Sequence, residues 1–233
     1  MAEEKVARRY RIRSMTADLS HISVWLFDLD NTLYPVEAEF MGLIEKRMTA
    51  FVARQTGLPP DQAYALQKKY LHEHGTTLAG LMAEHGVEPE AFLDEVHDVS
   101  LDGLSPDPAL HEALGRLPGR RLVFTNGDAR HAERVLDKLA LTDRFEAVFH
   151  IADALYLPKP HPAAFTRMIA AHDVDSKVAA FFEDSEKNLA PAAALGMTTV
   201  LVGPHAAAST AAFVHHRTRH LAPFLAAARV KET

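Results

Sequence analysis

Four short apolar runs, each followed by polar or acidic side chains, constrain the fold of this chain more than any other feature. They span residues 24–27, 122–124, 178–182 and 198–202, and a weaker fifth run spans residues 147–151. Unbroken apolar runs of this length are typical of parallel strands that are covered on both faces. The sequence therefore predicts a buried sheet.

Helical patterns occupy the segments between these runs. Residues 129–139 follow Asp128, a residue type that caps helices, and residues 162–171 begin with a proline, which the first turn of a helix tolerates. Residues 188–195 form another such pattern, and residues 210–229 are predicted to form a final helix. Because strands alternate with helices, we predict an α/β fold: a parallel sheet flanked by helices and joined by right-handed crossovers.

One long segment, residues 35–105, interrupts this alternation because it contains no convincing strand. Apolar residues fall on one helical face over residues 36–52, and glycine and proline then separate further helical patterns. We therefore predict two domains. A helical domain at 35–105 is inserted after the first strand, and an α/β core domain is built from 1–34 and 106–233.

The composition excludes several classes of protein. None of the 233 residues is cysteine, which rules out disulfide scaffolds, thiolate metal sites and a cysteine nucleophile. The net charge of −6 argues against a nucleic-acid polymer as partner, because such binding needs a basic surface. No run approaches the roughly 20 apolar residues of a membrane span, and the basic residues at 8–13 lack the apolar stretch of a secretory signal. We expect a cytoplasmic protein with a small-molecule partner and no membrane contact; the oligomeric state stays open.

Polar side chains follow the predicted strands at their carboxyl ends. Ligands of open parallel sheets bind at this edge, so these side chains are expected to meet. Several carboxylates brought together would repel one another, and oxygen ligands without histidine or cysteine favour Mg²⁺. A lysine between two prolines would hold a positive charge in a fixed place beside an anion. The residues concerned are Asp28 and Asp30, Thr125 and Asn126, Lys159, and Glu183 and Asp184.

Four segments that contain these residues resemble, in order, the four motifs of the haloacid dehalogenase (HAD) superfamily of phosphatases. They are FDLDNTLY at 27–34, VFTNG at 123–127, LPKPHP at 157–162 and FFEDSEKNLA at 181–190. The resemblance implies a Rossmann-like core, and the helical insertion looks like the mobile cap of that superfamily. Other stretches, among them YLHEHGTTLAGLM at 70–82, are similar to the pyrimidine 5′-nucleotidase branch, which removes phosphate from UMP and CMP.

The resemblance also implies a Mg²⁺-dependent reaction through an aspartyl-phosphate. Asp28 would attack phosphorus. Asp30 would protonate the leaving oxygen and then take a proton from water, and Lys159 would balance charge on Asp28 and the phosphate. The family often has aspartate or glycine where Glu183 stands. The implied metal ligands are Asp28, the backbone carbonyl of Asp30 and Asp184, with Glu183 orienting the site beside them, and the implied phosphate-binding residues are Thr125, Asn126 and Lys159.

These motifs predict a phosphatase for nucleoside 5′-monophosphates, with pyrimidines preferred. The presence of Asp30 favours phosphate esters over organic halides as substrates. Dehalogenating relatives lack this second acid, because a halide leaves without a proton. Two alternatives stay open: a phosphatase for another small metabolite, such as a sugar phosphate or pyridoxal phosphate, and a non-catalytic binding protein. Residues 35–105 carry a net charge of −7. Because an acidic surface would repel a facing phosphate, most of those carboxylates should point outward.

The remaining polar candidates each have two interpretations, a contact with substrate or a structural role. His216 and His220 have the spacing of helical metal ligands, but no acidic or third ligand accompanies them, so we predict a solvated face of the final helix. The candidates for which both interpretations stay open are Asn126, Asp128, Thr76, Thr77, His97 and Tyr34.

Overall fold

A computed structural model describes residues 16–231, so the basic residues at 8–13 lie outside the described range. Its strands are β1 (Val24–Phe27), β2 (Arg120–Phe124), β3 (Ala147–Phe149), β4 (Ala179–Glu183), β5 (Thr198–Val202) and β6 (His216–Thr218). They form one six-stranded sheet in the order β3-β2-β1-β4-β5-β6, and every neighbouring pair is parallel. The predicted α/β fold with a parallel sheet is confirmed.

The unbroken apolar runs follow from burial on both faces of the sheet. All four residues of β1 are buried; Trp25 and Phe27 belong to one apolar cluster, and Val24 and Leu26 belong to a second. Successive side chains of a strand point to opposite faces, so both sets must be apolar when helices cover both sides. β4 is buried along its whole length for the same reason.

Helices connect the strands and cover the sheet. In residues 16–231 they are α1 (Phe40–Thr56), α2 (Pro60–His74), α3 (Thr77–His85), α4 (Pro89–Val96), α5 (Pro108–Gly115), α6 (Ala129–Lys138), α7 (Pro162–His172), α8 (Glu186–Ala194) and α9 (Leu221–Ala227). None of these helices is both long and apolar enough to cross a membrane.

The first four helices follow β1 and precede β2, within the segment that we predict to be a separate domain. α1 packs against α2 and α4, and α2 packs against α3. Phe40, Ile44 and Phe92 of this group join the same apolar cluster as Trp25. Ten of the twelve acidic side chains in residues 35–105 are exposed and Glu45 and Glu95 are half-buried, so the outward orientation is confirmed. The division into two domains stays a proposal.

The predicted C-terminal helix at 210–229 is wrong. The chain forms β6 first, paired with Val200–Val202, and only then α9. β6 lies at the edge of the sheet and its three residues are half-buried and polar, so it lacks the apolar run that identified the other strands. His216 lies in β6 and His220 precedes α9, so the predicted solvated helix face does not exist.

The topology creates one crevice at the centre of the sheet. From β1 the chain winds to one side through β2 and β3, and to the other side through β4, β5 and β6. The direction reverses between β1 and β4, and ligands of open α/β sheets bind beyond the carboxyl ends of strands at this switch point. Asp28 follows β1, while Glu183 and Asp184 lie at the end of β4.

Candidate active site

Lys159 is the centre of the site at the carboxyl edge. Its side chain is 1% exposed, and its ammonium donates three hydrogen bonds: to Asp28 Oδ1 (2.7 Å), Glu183 Oε2 (2.8 Å) and the Phe124 carbonyl (2.7 Å). An ammonium has three donors, so its capacity is used in full. Burial opposes the positive charge, yet the carboxylates of Asp28 and Glu183 outweigh this effect and raise the pKa of Lys159. The predicted contact with Asp28 is therefore present.

Three carboxylates meet beside this lysine, and one ammonium does not neutralise them. Oxygens of Asp28, Glu183 and Asp184 all lie within 4.8 Å of one another. Burial, with repulsion among the carboxylates, raises the pKa of Asp28 to about 7, of Glu183 to about 7 and of Asp184 to about 6. A divalent cation would relieve this repulsion, and a donor set of carboxylate oxygens alone suits Mg²⁺. The residues present thus fit the expected metal.

Small polar contacts hold these carboxylates in place. Asp28 Oδ2 accepts a hydrogen bond from the Thr32 hydroxyl (3.3 Å), and Asp184 Oδ2 accepts one from the Asn31 amide (3.4 Å). Glu183 Oε1 accepts one from the Ser185 backbone N–H (3.1 Å). With Oε2 on Lys159, both oxygens of Glu183 are engaged by the protein, whereas Asp28 and Asp184 have only one long contact at Oδ2. Asp28 Oδ2 and the Asp184 carboxylate are therefore less engaged by the protein than Glu183 is.

Asp30 is held by two donors, one of which the sequence did not reveal. Its Oδ1 accepts hydrogen bonds from the Tyr34 hydroxyl (2.7 Å) and from His131 Nε2 (2.9 Å). Burial acts to raise the pKa of Asp30, but His131 and Tyr34 outweigh it and lower that pKa. Tyr34 thus contacts the site directly. His131 was missed; its only signal is its place three residues after the helix cap Asp128.

The ring of His131 packs against two other rings. The ring lies parallel to Phe40, with centroids 5.9 Å apart, and stacks on His97 with centroids 4.1 Å apart. It is 1% exposed, and its Nδ1 is buried with no hydrogen-bond partner in residues 16–231. The ring therefore presents its Nε2–H to Asp30 whether it is neutral or charged. Phe40 and His97 come from the helical segment, so that segment helps to orient His131.

Thr125 and Asn126 lie where predicted, after β2, but their side chains bond backbone groups of the protein. The Thr125 hydroxyl accepts a hydrogen bond from the Gly127 N–H (2.9 Å). The Asn126 side chain bonds the Lys159 backbone in both directions: its amide donates to the carbonyl (3.2 Å), and its oxygen accepts from the N–H (2.8 Å). Asn126 therefore positions the loop that carries Lys159.

Asp128 and His97 form a partly buried pair that joins the two parts of the chain. Asp128 Oδ1 caps α6 by accepting from the His131 backbone N–H (2.7 Å), and Oδ2 contacts His97 Nδ1. Burial would raise the pKa of Asp128, but the hydrogen bonds from His97 and the helix backbone lower it to about 2. The structural interpretation of both residues is thus the one that their contacts favour.

We expect Asp128→Ala to lower the free energy of unfolding by about 1–3 kcal/mol, because it removes a helix cap and leaves buried His97 without its partner. Because folding lowers this pKa, the carboxylate stabilises the fold at pH values above 3.8, which is its pKa in the unfolded chain. This contribution is lost as the pH falls toward 2. Urea unfolding as a function of pH measures both effects. Asp107→Ala is the matched control, since Asp107 caps α5 from an exposed position. An equal loss in the two variants would contradict the role of His97.

A cavity of about 330 Å³ opens from Asp30 into the helical segment. Thr76, Thr77 and His97 line it, as do Asn126 and Gly127 from the sheet side. Thr76 caps α3 by accepting from the Ala79 N–H (3.1 Å). Most other lining residues are apolar: Met41, Ile44, Met48, Leu71, Leu78, Phe92, Leu93 and Ile151.

Comparisons with known proteins show the family to which the chain belongs. The haloacid dehalogenase-like hydrolase family matches residues 22–196. Phosphate metabolism protein 8 of Saccharomyces cerevisiae is 28% identical over 194 residues, which cover 76% of this chain and 60% of that protein. An (S)-2-haloacid dehalogenase of Xanthobacter autotrophicus is 30% identical over 145 residues, which cover 60% of this chain and 56% of that enzyme. The chain thus spans little more than half the length of these relatives.

A solved structure extends the likeness to the whole fold. The HAD phosphatase from Thermococcus onnurineus superposes with a TM-score of 0.59 over 90% of this chain and 100% of its own, at 21% identity. This identity supports the shared fold alone. Because the family match covers most of the chain and includes the β1, β2 and β4 ends that build the site, the chain belongs to the haloacid dehalogenase-like hydrolase family.

Proposed function

We propose that this protein is a Mg²⁺-dependent phosphatase that hydrolyses nucleoside 5′-monophosphates, with pyrimidine nucleotides preferred. The observation that carries the proposal is the arrangement of two carboxylates after β1. Asp28 is bonded to Lys159, while Asp30, two residues later, is held by Tyr34 and His131 beside a cavity. This arrangement supports a nucleophile and a proton-transfer group at one edge of the sheet.

The proposed reaction has two steps. Asp28 attacks phosphorus, the ester P–O bond breaks, and the leaving oxygen takes a proton from Asp30. Water then attacks the aspartyl-phosphate and gives a proton to Asp30, which frees Asp28 and inorganic phosphate. The pKa of Asp30 is low without substrate, and a bound phosphate dianion would raise it by repulsion, which favours the proton that Asp30 must donate.

Other residues of the chain support these steps. Lys159 holds Asp28 Oδ1 in place and offsets the negative charge of an incoming phosphate. We propose Asp28, Asp184 and the Asp30 backbone carbonyl as metal ligands, with Thr125 and Asn126 near the phosphate. When bound, Mg²⁺ would neutralise charge on the phosphate. We also propose that residues 35–105 act as a cap, whose cavity beside Asp30 receives the leaving group.

Dehalogenation is the second candidate, because one of the matching relatives is a haloacid dehalogenase. The surroundings of Asp30 argue against it here. Two donors converge on Asp30 Oδ1, and a half-buried, oriented carboxyl group at this place would serve a leaving group that needs a proton, which a halide does not. Among phosphate esters, the size and apolar lining of the cavity favour a leaving group as large as a nucleoside.

A substrate panel tests the proposal. The purified protein with Mg²⁺ is incubated with UMP, CMP, AMP, ribose 5-phosphate, pyridoxal phosphate and 2-chloropropionate, and free phosphate and chloride are measured. We expect phosphate release with the highest kcat/KM on UMP or CMP and no chloride release. A preference for the sugar phosphate or for pyridoxal phosphate would contradict the nucleotide assignment, and chloride release would overturn the phosphatase assignment.

We expect His131→Phe to reduce kcat about 10- to 100-fold on UMP, because the ring stack is kept but Asp30 loses its Nε2–H donor. The loss should be smaller on p-nitrophenyl phosphate, whose leaving group needs less protonation. His72→Phe, at an exposed position on α2, is the matched control. An equal loss on both substrates would mean that His131 supports the fold and does not position Asp30.

A further inference from the structure

Two buried polar side chains in the cavity beside Asp30 have hydrogen-bonding capacity that the protein does not use. Gln67 on α2 is 3% exposed, and Thr77 at the start of α3 is 4% exposed. Both line the cavity. Buried amides and hydroxyls usually have partners, because an unpaired polar group costs free energy once it leaves water. Each unpaired group facing a cavity is therefore a candidate ligand contact.

The Gln67 amide has one well-bonded end and one poorly bonded end. Its Oε1 lies 2.5 Å from the Thr49 hydroxyl, whose single proton is shared between Oε1 and the Glu45 backbone carbonyl at 3.0 Å. Its Nε2 has only the thioether sulfur of Met48 as acceptor, at 3.8 Å. A thioether is a weak acceptor, and an amide nitrogen carries two N–H donors. Gln67 Nε2 can therefore donate a hydrogen bond to a carbonyl oxygen of a ligand in the cavity.

Thr77 offers a second polar contact. Among residues 16–231, its hydroxyl has no hydrogen-bond partner, whereas the neighbouring Thr76 hydroxyl is used as the cap of α3. A hydroxyl can donate and accept, so it can bond a carbonyl oxygen, an amine or a ring N–H. The two side chains come from adjacent helices, and α2 packs against α3.

The rest of the cavity suits a flat, apolar ring. Met41, Met48, Ile44 and Phe92 are among its lining residues, and methionine sulfur makes favourable contacts with aromatic rings. Glu45 and Lys68, which also line the cavity, form a partly exposed ion pair with each other. A ligand with a planar face and a few polar edge atoms matches this combination better than a sugar, which carries hydroxyls all round.

We propose that Gln67 and Thr77 recognise the polar edge of a planar heterocycle bearing a carbonyl group, and so determine which leaving group the enzyme accepts. The inference rests on the proposed phosphatase function, since it names the group attached to the phosphate. Thr49 acts as a positioning residue, because it holds the Gln67 amide with its nitrogen free. The ring lies among the methionine and phenylalanine side chains, and its carbonyl accepts from Gln67 Nε2.

The test compares Gln67→Met and Thr77→Val, which keep side-chain volume but lose the polar groups, with Gln62→Met at an exposed position of the same helix. Two quantities are measured with Mg²⁺ present. The first is the ratio of kcat/KM for UMP to that for ribose 5-phosphate, which lacks the planar heterocycle. The second is the inhibition constant of uridine against hydrolysis of p-nitrophenyl phosphate, which does not require UMP to be a substrate.

We expect Gln67→Met to lower the ratio of kcat/KM for UMP to that for ribose 5-phosphate about 10- to 100-fold, mainly through the KM for UMP. The uridine inhibition constant should rise by about the same factor, and Thr77→Val should have smaller effects on both quantities. Gln62→Met should match the wild type. An unchanged inhibition constant in Gln67→Met, or an equal loss on UMP and ribose 5-phosphate, would overturn the inference. If UMP is not hydrolysed but uridine still inhibits through Gln67, the proposed substrate fails while the recognition site stands.

Discussion

Asp28→Asn is expected to reduce phosphate release by about 10³-fold or more, because a neutral amide oxygen is a far poorer nucleophile than a carboxylate. The asparagine keeps an oxygen that Lys159 can bond, so the fold should persist. The measurement is steady-state phosphate release, together with intact mass to verify that the asparagine has not deamidated back to aspartate.

Two further measurements separate loss of chemistry from loss of fold. Asp137→Asn, at an exposed position on α6, should retain wild-type activity. Denaturing mass spectrometry of the acid-quenched wild type should detect one phosphoryl group on the peptide that contains Asp28. Turnover of Asp28→Asn within tenfold of the wild type would show that another group attacks phosphorus.

The second large effect is expected at Lys159, where the fold and the chemistry depend on one ammonium. Lys159→Met leaves buried Asp28 and Glu183 without their shared cation. Removing one partner of a buried ion pair costs about 3–5 kcal/mol, and loss of a charge that faces the phosphate should cost about 10²-fold or more in kcat. Thermal and urea unfolding measure the first effect, and phosphate release measures the second.

A second substitution distinguishes the two contributions. Adding Glu183→Gln to Lys159→Met removes one of the uncompensated charges, so much of the lost stability should return while activity stays low. Lys187→Met, at an exposed position on α8, is the control. A Lys159→Met protein that is as stable as the wild type would mean that solvent or protonation already neutralises the pair.

The central strands could be predicted from sequence because burial on both faces favours apolar residues along most of each strand. The observed β1 and β5 coincide with the predicted runs, and β2 begins two residues earlier. β6 was missed for the opposite reason, since an edge strand with half-buried polar residues carries no such constraint. The helix α5 was also not predicted.

The residues of the site also differ in whether their positions could be predicted from sequence. Asp28, Lys159, Glu183 and Asp184 could be predicted to meet, since each follows or ends a strand of one parallel sheet or matches an ordered motif. Thr77 was a candidate with two open interpretations, and His131 and Gln67 were not predicted. Their importance comes from which atoms they face across the fold, and residue type and spacing do not encode that.

By itself the sequence determined the α/β class, the parallel sheet and the edge at which the acidic residues gather, because strand burial and strand ends leave local patterns. Only the tertiary structure decided which polar groups are used and which are free. It placed His131 and Tyr34 on Asp30, engaged both oxygens of Glu183, and left the Gln67 nitrogen with only the Met48 sulfur as its partner. Hydrogen bonds between residues far apart in the chain depend on the packing of whole helices, which no short segment of sequence specifies.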